Sequence, residues 1–591
     1  MAVLPGLRIR RGVRLEAVRI RRGVRLGAVR IRRAVRPGAV RLGAVRLEGV
    51  RLEGVRPGAL AAGRVAAGDG SPREVAGCSD RSSSGCSTVL AGLLRRQDIS
   101  RPLAVDGARV LRTTCPSTIR LPLRRTAGDT GVARACSGPG SMLCCGATVG
   151  SHLVSTPSPE LFDRIVNLTK RRGFVYPSAE IYGGFRSTYD YGPVGVLLLR
   201  NVKDAWWRSM VQLRGDIVGL DASILSPPQV WEASGHLANF TDPLVDCTNC
   251  HQRFRLDKLD DPERCPNCGA VGAFTEPRQF NLMFKTQAGP VEDAAAVAYL
   301  RPETAQGMFI NFKNVIDTTR VRPPFGIAQI GKSFRNEITP GQFVFRTREF
   351  EQMEMEFFVP PADARHWYEY WCAERYQWYL DHGMPEHLLR LRAHESDELS
   401  HYSSGTSDVE FLFPWGWDEL EGIANRGEYD LSQHAQHSGE RLEWYDQAAN
   451  ERWVPHVIEP AAGATRTAMA FLMAAYDEEE VRGETRVVLR FHPRIAPYKV
   501  AVLPLSKKPE LSGPAQELVG ELRRSFVCDY DETQSIGRRY RRQDELGTPY
   551  CVTYDFDSLT DGAVTVRERD SMEQERVPLA DLAGVLHERL A

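Results

Sequence analysis
The chain has 591 residues, 42% of them hydrophobic and 26% charged, with a formal net charge of +1; it is too long for one core and too apolar to stay unfolded, so two or three domains are expected. Near-neutrality hides an asymmetry: the first 150 residues hold 28 arginines, 9 acids and no lysine, which leaves the remainder with 18 surplus negative charges. No apolar run of about 18 residues occurs and the N-terminus lacks the apolar centre of a signal peptide, which predicts neither a membrane span nor secretion, and the 13 cysteines read as thiols of a reducing cytoplasm, not a disulfide framework.

The first sixty residues repeat a unit near five long, as in "GAVRLGAVRLEGVRLEGVRPGA", a period that fits neither helix nor strand and is too short for a solenoid. A basic arm for nucleic acid and an organelle transit peptide are two readings of residues 1–150. The favoured third is a disordered low-complexity tail, an over-extended reading frame whose true start is Met142 or later.

Order is expected from Pro159. "SPELFDRIVNLTKRRGF" places Leu161, Ile165 and Leu168 at helical spacing between a Ser158 cap and a Gly173 stop. A second helix, "GVLLLRNVKDAWWRSMVQL", follows the turn "YDYGPVG". Cys247-x2-Cys250 and Cys265-x2-Cys268 have the spacing of a four-thiolate zinc ribbon, a closed structural site with no open ligand position. His251, beside a ligand, is expected to be exposed or supporting, not a fifth ligand.

From residue 331 to 358 the chain reads "GKSFRNEITPGQFVFRTREFEQMEMEFF". Alternation in strands puts Arg335 with Glu337, and Arg346 with Arg348, on one face, with Pro340 and Gly341 in the hairpin loop. Solvated cross-strand ion pairs are the ordinary outcome for such charges. The apolar flanks point instead to central strands and a cleft, where guanidinium forks suit phosphates. Short strands, loops and helices alternate up to about residue 495, a mixed α+β pattern. His401 with Tyr402, and His434 with His437, lack partner spacing and are expected at the surface; Cys372, Cys528 and Cys551 are expected as buried or isolated thiols. After Pro497 strands and helices alternate over about 95 residues, and "SIGRRYRRQDEL" interleaves Arg538, Arg539, Arg541 and Arg542 with Tyr540, either a solvated basic face or a platform for single-stranded RNA.

"FRNE" followed by "FRTREFEQMEMEFF" resembles motif 2 of the class II aminoacyl-tRNA synthetases, in the form carried by their glycyl branch. "YDYGPVGVLLLRNVKDAWW" is similar to motif 1, with Pro193 entering a dimer-interface helix, and "EPAAGATRTAMAFLMAAY" to motif 3 with Arg466. The similarity runs from about Arg171 to the C-terminus. It implies an antiparallel sheet flanked by helices, a catalytic domain over 151–496 with a zinc-ribbon insertion at about 241–279 and another at about 361–415, and an anticodon-binding α/β domain over 497–591. It implies a cytoplasmic homodimer that joins glycine to its tRNA through glycyl-adenylate, with ATP, Mg2+ and structural Zn2+.

The resemblance also assigns roles. Arg335 is placed at the α-phosphate, Glu337 at the adenine amino group, Phe350 on the adenine ring and Arg466 at the γ-phosphate. Asn336, Phe345, Arg346, Thr347, Arg348, Glu349, Glu419, Leu420, Gly463, Ala464 and Thr465 complete the ATP set. Glycine is expected against Arg255, Glu303, Phe350, Glu351, Gln352, Met353, Glu354, Glu459, Pro460, Ala461, Ala462 and Gly463, and Mg2+ against Glu419 and Glu459. Ala461 stands where many relatives have Ser, which removes one possible polar contact to glycine. The basic helix 538–542 is expected to meet the anticodon, and the ribbon the acceptor end. A paralogue with another amino-acid specificity, and a non-catalytic RNA-binding protein, are the rival readings.

Overall fold
The first described helix, Pro159–Arg172, forms where the sequence places it: the Ser158 hydroxyl accepts the Leu161 N–H at 3.2 Å, Gly173 closes the helix at φ 76°, and Leu161, Ile165 and Leu168 are buried. The computed structural model describes residues 158–290, 296–338, 341–400 and 402–591. The Arg-rich tail, Pro340 and His401 lie outside the described residues.

A seven-stranded sheet organises the next three hundred residues. Its order is Leu389–Ala393, Gly405–Phe413, Gly416–Gly427, His456–Gly463, Glu349–Val359, Phe325–Phe334 and Ile217–Gly219. Every pairing is antiparallel except the last, which is parallel. Two-residue alternation in Glu349–Val359 explains the two faces: Met353, Met355 and Phe357 enter the core beneath the sheet, while Gln352 and Glu354 face the opposite way. The helices Gly195–Trp207 and Ala464–Ala475 close that core from below. Above the sheet the polar face turns apolar at Phe358, which packs with Phe325, Phe309 and Phe312. The cleft ends there.

Motif 2 departs from expectation. The central hairpin pairs Phe334 with Glu349 and stops, so Arg335, Glu337, Arg346 and Arg348 sit in the connection beyond the strands, not on a strand face. The connection is tied locally, by the Arg335 N–H to the Arg348 carbonyl and the Asn336 N–H to the Leu282 carbonyl.

The cysteine-bearing insertion is a three-stranded antiparallel sheet, Arg253–Arg255, Thr241–Asp246 and Arg278–Asn281. The C-terminal unit is a mixed five-stranded sheet, Cys528–Tyr530, Val500–Pro504, Tyr550–Tyr554, Ala563–Glu568 and Gln574–Pro578. The helices Pro509–Leu522 and Leu579–Leu590 pack on it. The strand Gln574–Pro578 and the short helix Ser558–Asp561 were not legible in the sequence.

The basic helix Ile536–Leu546 also corrects the sequence reading. Arg539 is buried and donates to the carbonyls of Thr533 and Gln534 at 3.1 and 2.7 Å and to that of Pro504. Arg542 pairs with Asp531, the Tyr540 hydroxyl bonds Thr553 Oγ1 at 2.6 Å, and Arg541 lies 3.6 Å from Asp544. Only Arg538 of the five is exposed. The last turns of this helix dock on the catalytic unit: buried Asp544 accepts from Arg486 of that unit at 2.8 and 2.9 Å, and from Arg567 of its own sheet at 2.9 Å, and Glu545 pairs with Arg171 and Arg172.

Candidate active site
A cleft opens over the middle of the large sheet. Its rim is cationic. Arg335 donates to the Pro302 carbonyl at 3.1 Å, and its guanidinium lies 5.3 Å from the Phe350 ring and 5.5 Å from that of Phe240, a cation–π sandwich that fixes its aim. Arg466, on the first turn of Ala464–Ala475, sits 4.3 Å over Phe345 and 3.3 Å from Glu419. Glu337, Arg346, Thr347 and Thr465 line the same rim.

Glu419 reaches the cleft through a bulge. Glu421 pairs with Val409 but Glu419 with Glu410, so Leu420 is the extra residue. A bulge re-aims the side chains around it. Glu419 thereby joins Gly422 and Ala424 in the cleft, while Leu420 enters the core and Glu421 binds Arg375 at 2.6 Å beneath the sheet. The walls of the cleft oppose ionisation of Glu419, whose side chain is half exposed, but Arg466, Arg335 and Arg346 outweigh that and lower its pKa.

The floor is anionic. Glu354 Oε2 accepts from the Thr304 N–H at 2.9 Å and from the Thr304 hydroxyl, and its Oε1 from Gln352 Nε2 at 3.2 Å. Gln352 is oriented in turn by the Ser333 hydroxyl, at 2.6 Å. Glu303 meets His236 at 3.3 Å and accepts from Gln306 at 3.0 Å. Glu459 takes Arg426 Nη1 at 2.9 and 3.0 Å, and the rest of that guanidinium holds Asp430 at 2.7 and 2.9 Å. The Arg426 guanidinium lies 3.8 Å from the Tyr402 ring. Glu356 is fully buried and neither of its oxygens has a hydrogen-bond partner among the described residues; its carboxylate lies within 4.8 Å of those of Glu354 and Glu459.

This crowding divides the carboxyls. Burial raises Glu354, and Glu303 adds to it. Burial likewise pushes Glu459 up to about 8 against the pull of Arg426, with Glu354 and Glu303 adding to the rise, and it lifts Glu356 well above the ordinary range, helped by Glu459. At Glu303 burial acts in the same sense, but His236 and Arg426 outweigh it and the pKa falls.

Several sequence assignments fail on alternation or distance. Glu351 points away and binds Lys203 at 2.9 Å; Met353, Ala462 and Ala464 are core. Pro460 shares their side of its strand. Arg255 is taken by Asp242 and Asp257, Glu349 by Lys332, and Arg348 by the Arg186 and Glu337 carbonyls; neither these nor Asn336 lines the cleft. Glu419 and Glu459 cannot share one ion, because Ala424, opposite Glu459, is five residues from Glu419, roughly 15 Å along the strand. His434 is buried, not at the surface; its Nε2 bonds Gln306 Oε1 at 2.8 Å and burial lowers its pKa to about 4. Tyr402 lines the cleft. The sequence reading missed Arg426, Asp430, Gln306, His236, His394 and Asp408; Glu356 was available from alternation.

In the insertion, the Sγ atoms of Cys247 and Cys268, and of Cys250 and Cys265, lie 3.7 Å apart, and all four are within 4.8 Å of one another. These are not disulfide distances. A tetrahedron with bonds of about 2.3 Å to a zinc ion has edges of about 3.8 Å, which the donor set fits. The two knuckles match: the His251 N–H bonds the Cys247 carbonyl and the Gly269 N–H the Cys265 carbonyl, each at 2.8 Å, with φ 57° and 72°. His251 is exposed and occupies the turn position that Gly269 fills in the second knuckle.

An antiparallel sheet carrying arginines at the rim of a cleft, with a short motif 2 connection, a motif 3 helix beneath and a separate α/β unit, defines a class II aminoacyl-tRNA synthetase. Residues 284–476 match the tRNA synthetase class II core domain (G, H, P, S and T), and residues 499–589 the anticodon binding domain. Over 451 residues the chain is 56% identical to the glycine–tRNA ligase of Streptomyces coelicolor, covering 72% of this chain and 98% of that one. To the glycine–tRNA ligase of Mycolicibacterium vanbaalenii it is 55% identical over 465 residues, 73% and 99% of the two chains; to that of Thermobifida fusca, 54% over 455 residues, 73% and 98%. The chain belongs to the glycine–tRNA ligase family, and is an aminoacyl-tRNA ligase.

Proposed function
We propose that this chain activates glycine with ATP to glycyl-adenylate and passes it to the 3' end of its tRNA, using the residues of the cleft. The carboxylate-rich floor carries this reading: Glu303, Glu354, Glu356 and Glu459 crowd together near the Arg426 guanidinium, burial and mutual repulsion raise the pKa of the last three, and an α-ammonium supplies the positive charge that lets such carboxyls ionise. Small residues at Gly422, Ala424, Ala461 and Gly463 leave the cleft bed open for the adenylate, while the Glu303 and Glu354 carboxylates occupy the space at the ammonium end, where a substrate methyl at Cα meets overpacking costs of about 1–3 kcal/mol.

On the rim, Arg335 neutralises the α-phosphate as the glycine carboxylate attacks it, Phe350 stacks on adenine, Glu337 meets its amino group and Arg466 holds the terminal phosphate. The carboxylate is itself the nucleophile, so positioning and charge neutralisation suffice. Mg2+ would be held at Glu419 and would screen phosphate charge; Glu459, bound to Arg426, belongs to the glycine floor. Cys247, Cys250, Cys265 and Cys268 would hold a structural Zn2+. The catalytic domain spans 151–496 and the anticodon-binding domain 497–591, with Arg538 available to RNA.

A cytoplasmic homodimer completes the proposal. Ile181, Tyr182 and Phe185 are 88, 86 and 62% exposed just before the helix Gly195–Trp207, on which Val196 is also exposed, and a second copy of this chain covers them. ATP–pyrophosphate exchange across the amino acids, with the full chain and with a chain beginning at Ser151, tests the activation step. Exchange with glycine alone in both supports the reading; exchange with another amino acid overturns the assignment of the floor, and its absence from both soluble chains overturns the activity.

A further inference from the structure
The cleft contains a histidine–aspartate pair that glycine activation leaves unused. His394 follows the edge strand Leu389–Ala393 and its Nε2 lies 2.7 Å from Asp408 Oδ2, on the neighbouring strand; both residues line the cleft. With Asp408 accepting from Nε2–H, the lone pair of the imidazole is left on Nδ1, which makes no hydrogen bond among the described residues. That is the arrangement of an oriented general base.

Its position relative to the floor follows from sheet register. Asp408 lies opposite Gly422, Gly422 opposite Ala461, and Ala461 opposite Glu354, so the four share one face. Three strand spacings separate Asp408 from Glu354, about 14 Å between backbones. The residues between carry no side chain beyond Cβ, leaving room for an acyl group between an ammonium held at Glu354 and the imidazole. Charged groups around the pair come from three strands. Arg392 Nη2 is 3.8 Å from Asp408 Oδ2 and Arg392 Nη1 binds Glu398; Glu410 takes Arg390 and Arg392; Glu419 stands beyond. Thr406, Ser400 and Tyr402 line the cleft beside them. Burial, with Glu419, raises Asp408 to about 6.

We propose that His394, oriented by Asp408, accepts the proton of the attacking ribose hydroxyl when glycine passes from the adenylate to the 3' end of the tRNA. This rests on the ligase reading above. In the step, the ribose oxygen bonds to the glycyl carbonyl carbon, the bond from that carbon to the phosphate oxygen breaks, AMP leaves with the electron pair, and the hydroxyl proton goes to Nδ1. No further reactant is required.

Single-turnover transfer from enzyme-bound glycyl-adenylate to tRNA, measured beside adenylate formation, separates the proposal from the reading beneath it. In H394Q transfer falls about 100-fold or more, at least tenfold further than adenylate formation; the rise of transfer with pH expected of the natural chain is lost, and imidazole restores transfer to H394A. D408N shows the same preferential loss with the base still present. Parallel loss in both steps, transfer within threefold of the natural chain, or an unchanged pH profile in H394Q overturns the role of His394. Absence of glycine-dependent adenylate in the natural chain instead removes the ligase reading, and this proposal with it.

Discussion

Replacing Glu354 with Gln removes one charge at nearly constant shape, and the hydrogen bonds around the carboxylate set the cost. The Ser333 hydroxyl fixes Gln352 so that its amide NH2 faces Glu354 Oε1, and the Thr304 N–H and hydroxyl both face Oε2. Whichever way the new amide of E354Q turns, its NH2 meets a donor. One buried donor left unmade costs about 1–3 kcal/mol of stability, and a lost charge-assisted hydrogen bond to the glycine ammonium about 1.5–3 kcal/mol of binding. At 1.4 kcal/mol per tenfold, the KM for glycine rises roughly 10- to 150-fold. Pyrophosphate exchange at varied glycine and saturating ATP reads this directly, and the KM for ATP should move far less. A glycine KM within threefold of the natural chain would show that Glu354 does not face the ammonium and would refute the floor assignment.

Three other outcomes are expected. Asp544→Ala leaves the buried guanidiniums of Arg486 and Arg567 without their shared carboxylate, costing about 3–5 kcal/mol at the junction; unfolding followed by two probes should separate the C-terminal unit, and the KM for tRNA should rise while that for glycine holds. Chelation of zinc, or Cys268→Ser, should loosen the insertion, seen as proteolysis between Thr241 and Asn281, with glycine-dependent exchange better preserved than charging of tRNA. His434, held neutral by burial, has a folded pKa near 4 against about 6.5 unfolded. The unfolded chain therefore binds the extra proton, and stability declines as pH falls from about 6.5 to 4; His434→Gln should flatten that limb of a thermal melt series, and an unchanged slope would contradict it.

Where local pattern governs, the sequence was informative. The Ser158 cap and Gly173 stop are short-range hydrogen-bond chemistry, and the paired cysteines bring their own geometry. Alternation, applied strictly to "EFEQMEMEFF", separates Gln352, Glu354 and Glu356 from Glu351 and Met353, although family similarity alone grouped neighbours together. The bulge at Leu420 could not be read, because one inserted residue reverses alternation without a compositional trace. Nor could the Arg426 network, whose partners come from residues 303 to 459. Arg539 misled for the opposite reason: a basic run looks solvated until backbone carbonyls from three residues are found around one of its guanidiniums.

The clamp at Asp544 bears on how the molecule gauges a long substrate. Exposed arginines that meet phosphates weaken as ionic strength rises, whereas charges sealed from solvent are screened far less. The helix carrying Arg538 and the motif 3 region are thus held together under conditions that weaken the protein's contacts to phosphates. A pair of callipers with locked jaws accepts one length: on the function proposed above, the spacing between the two ends of a bound tRNA would be gauged by the protein's rigidity, independently of the bases at either end.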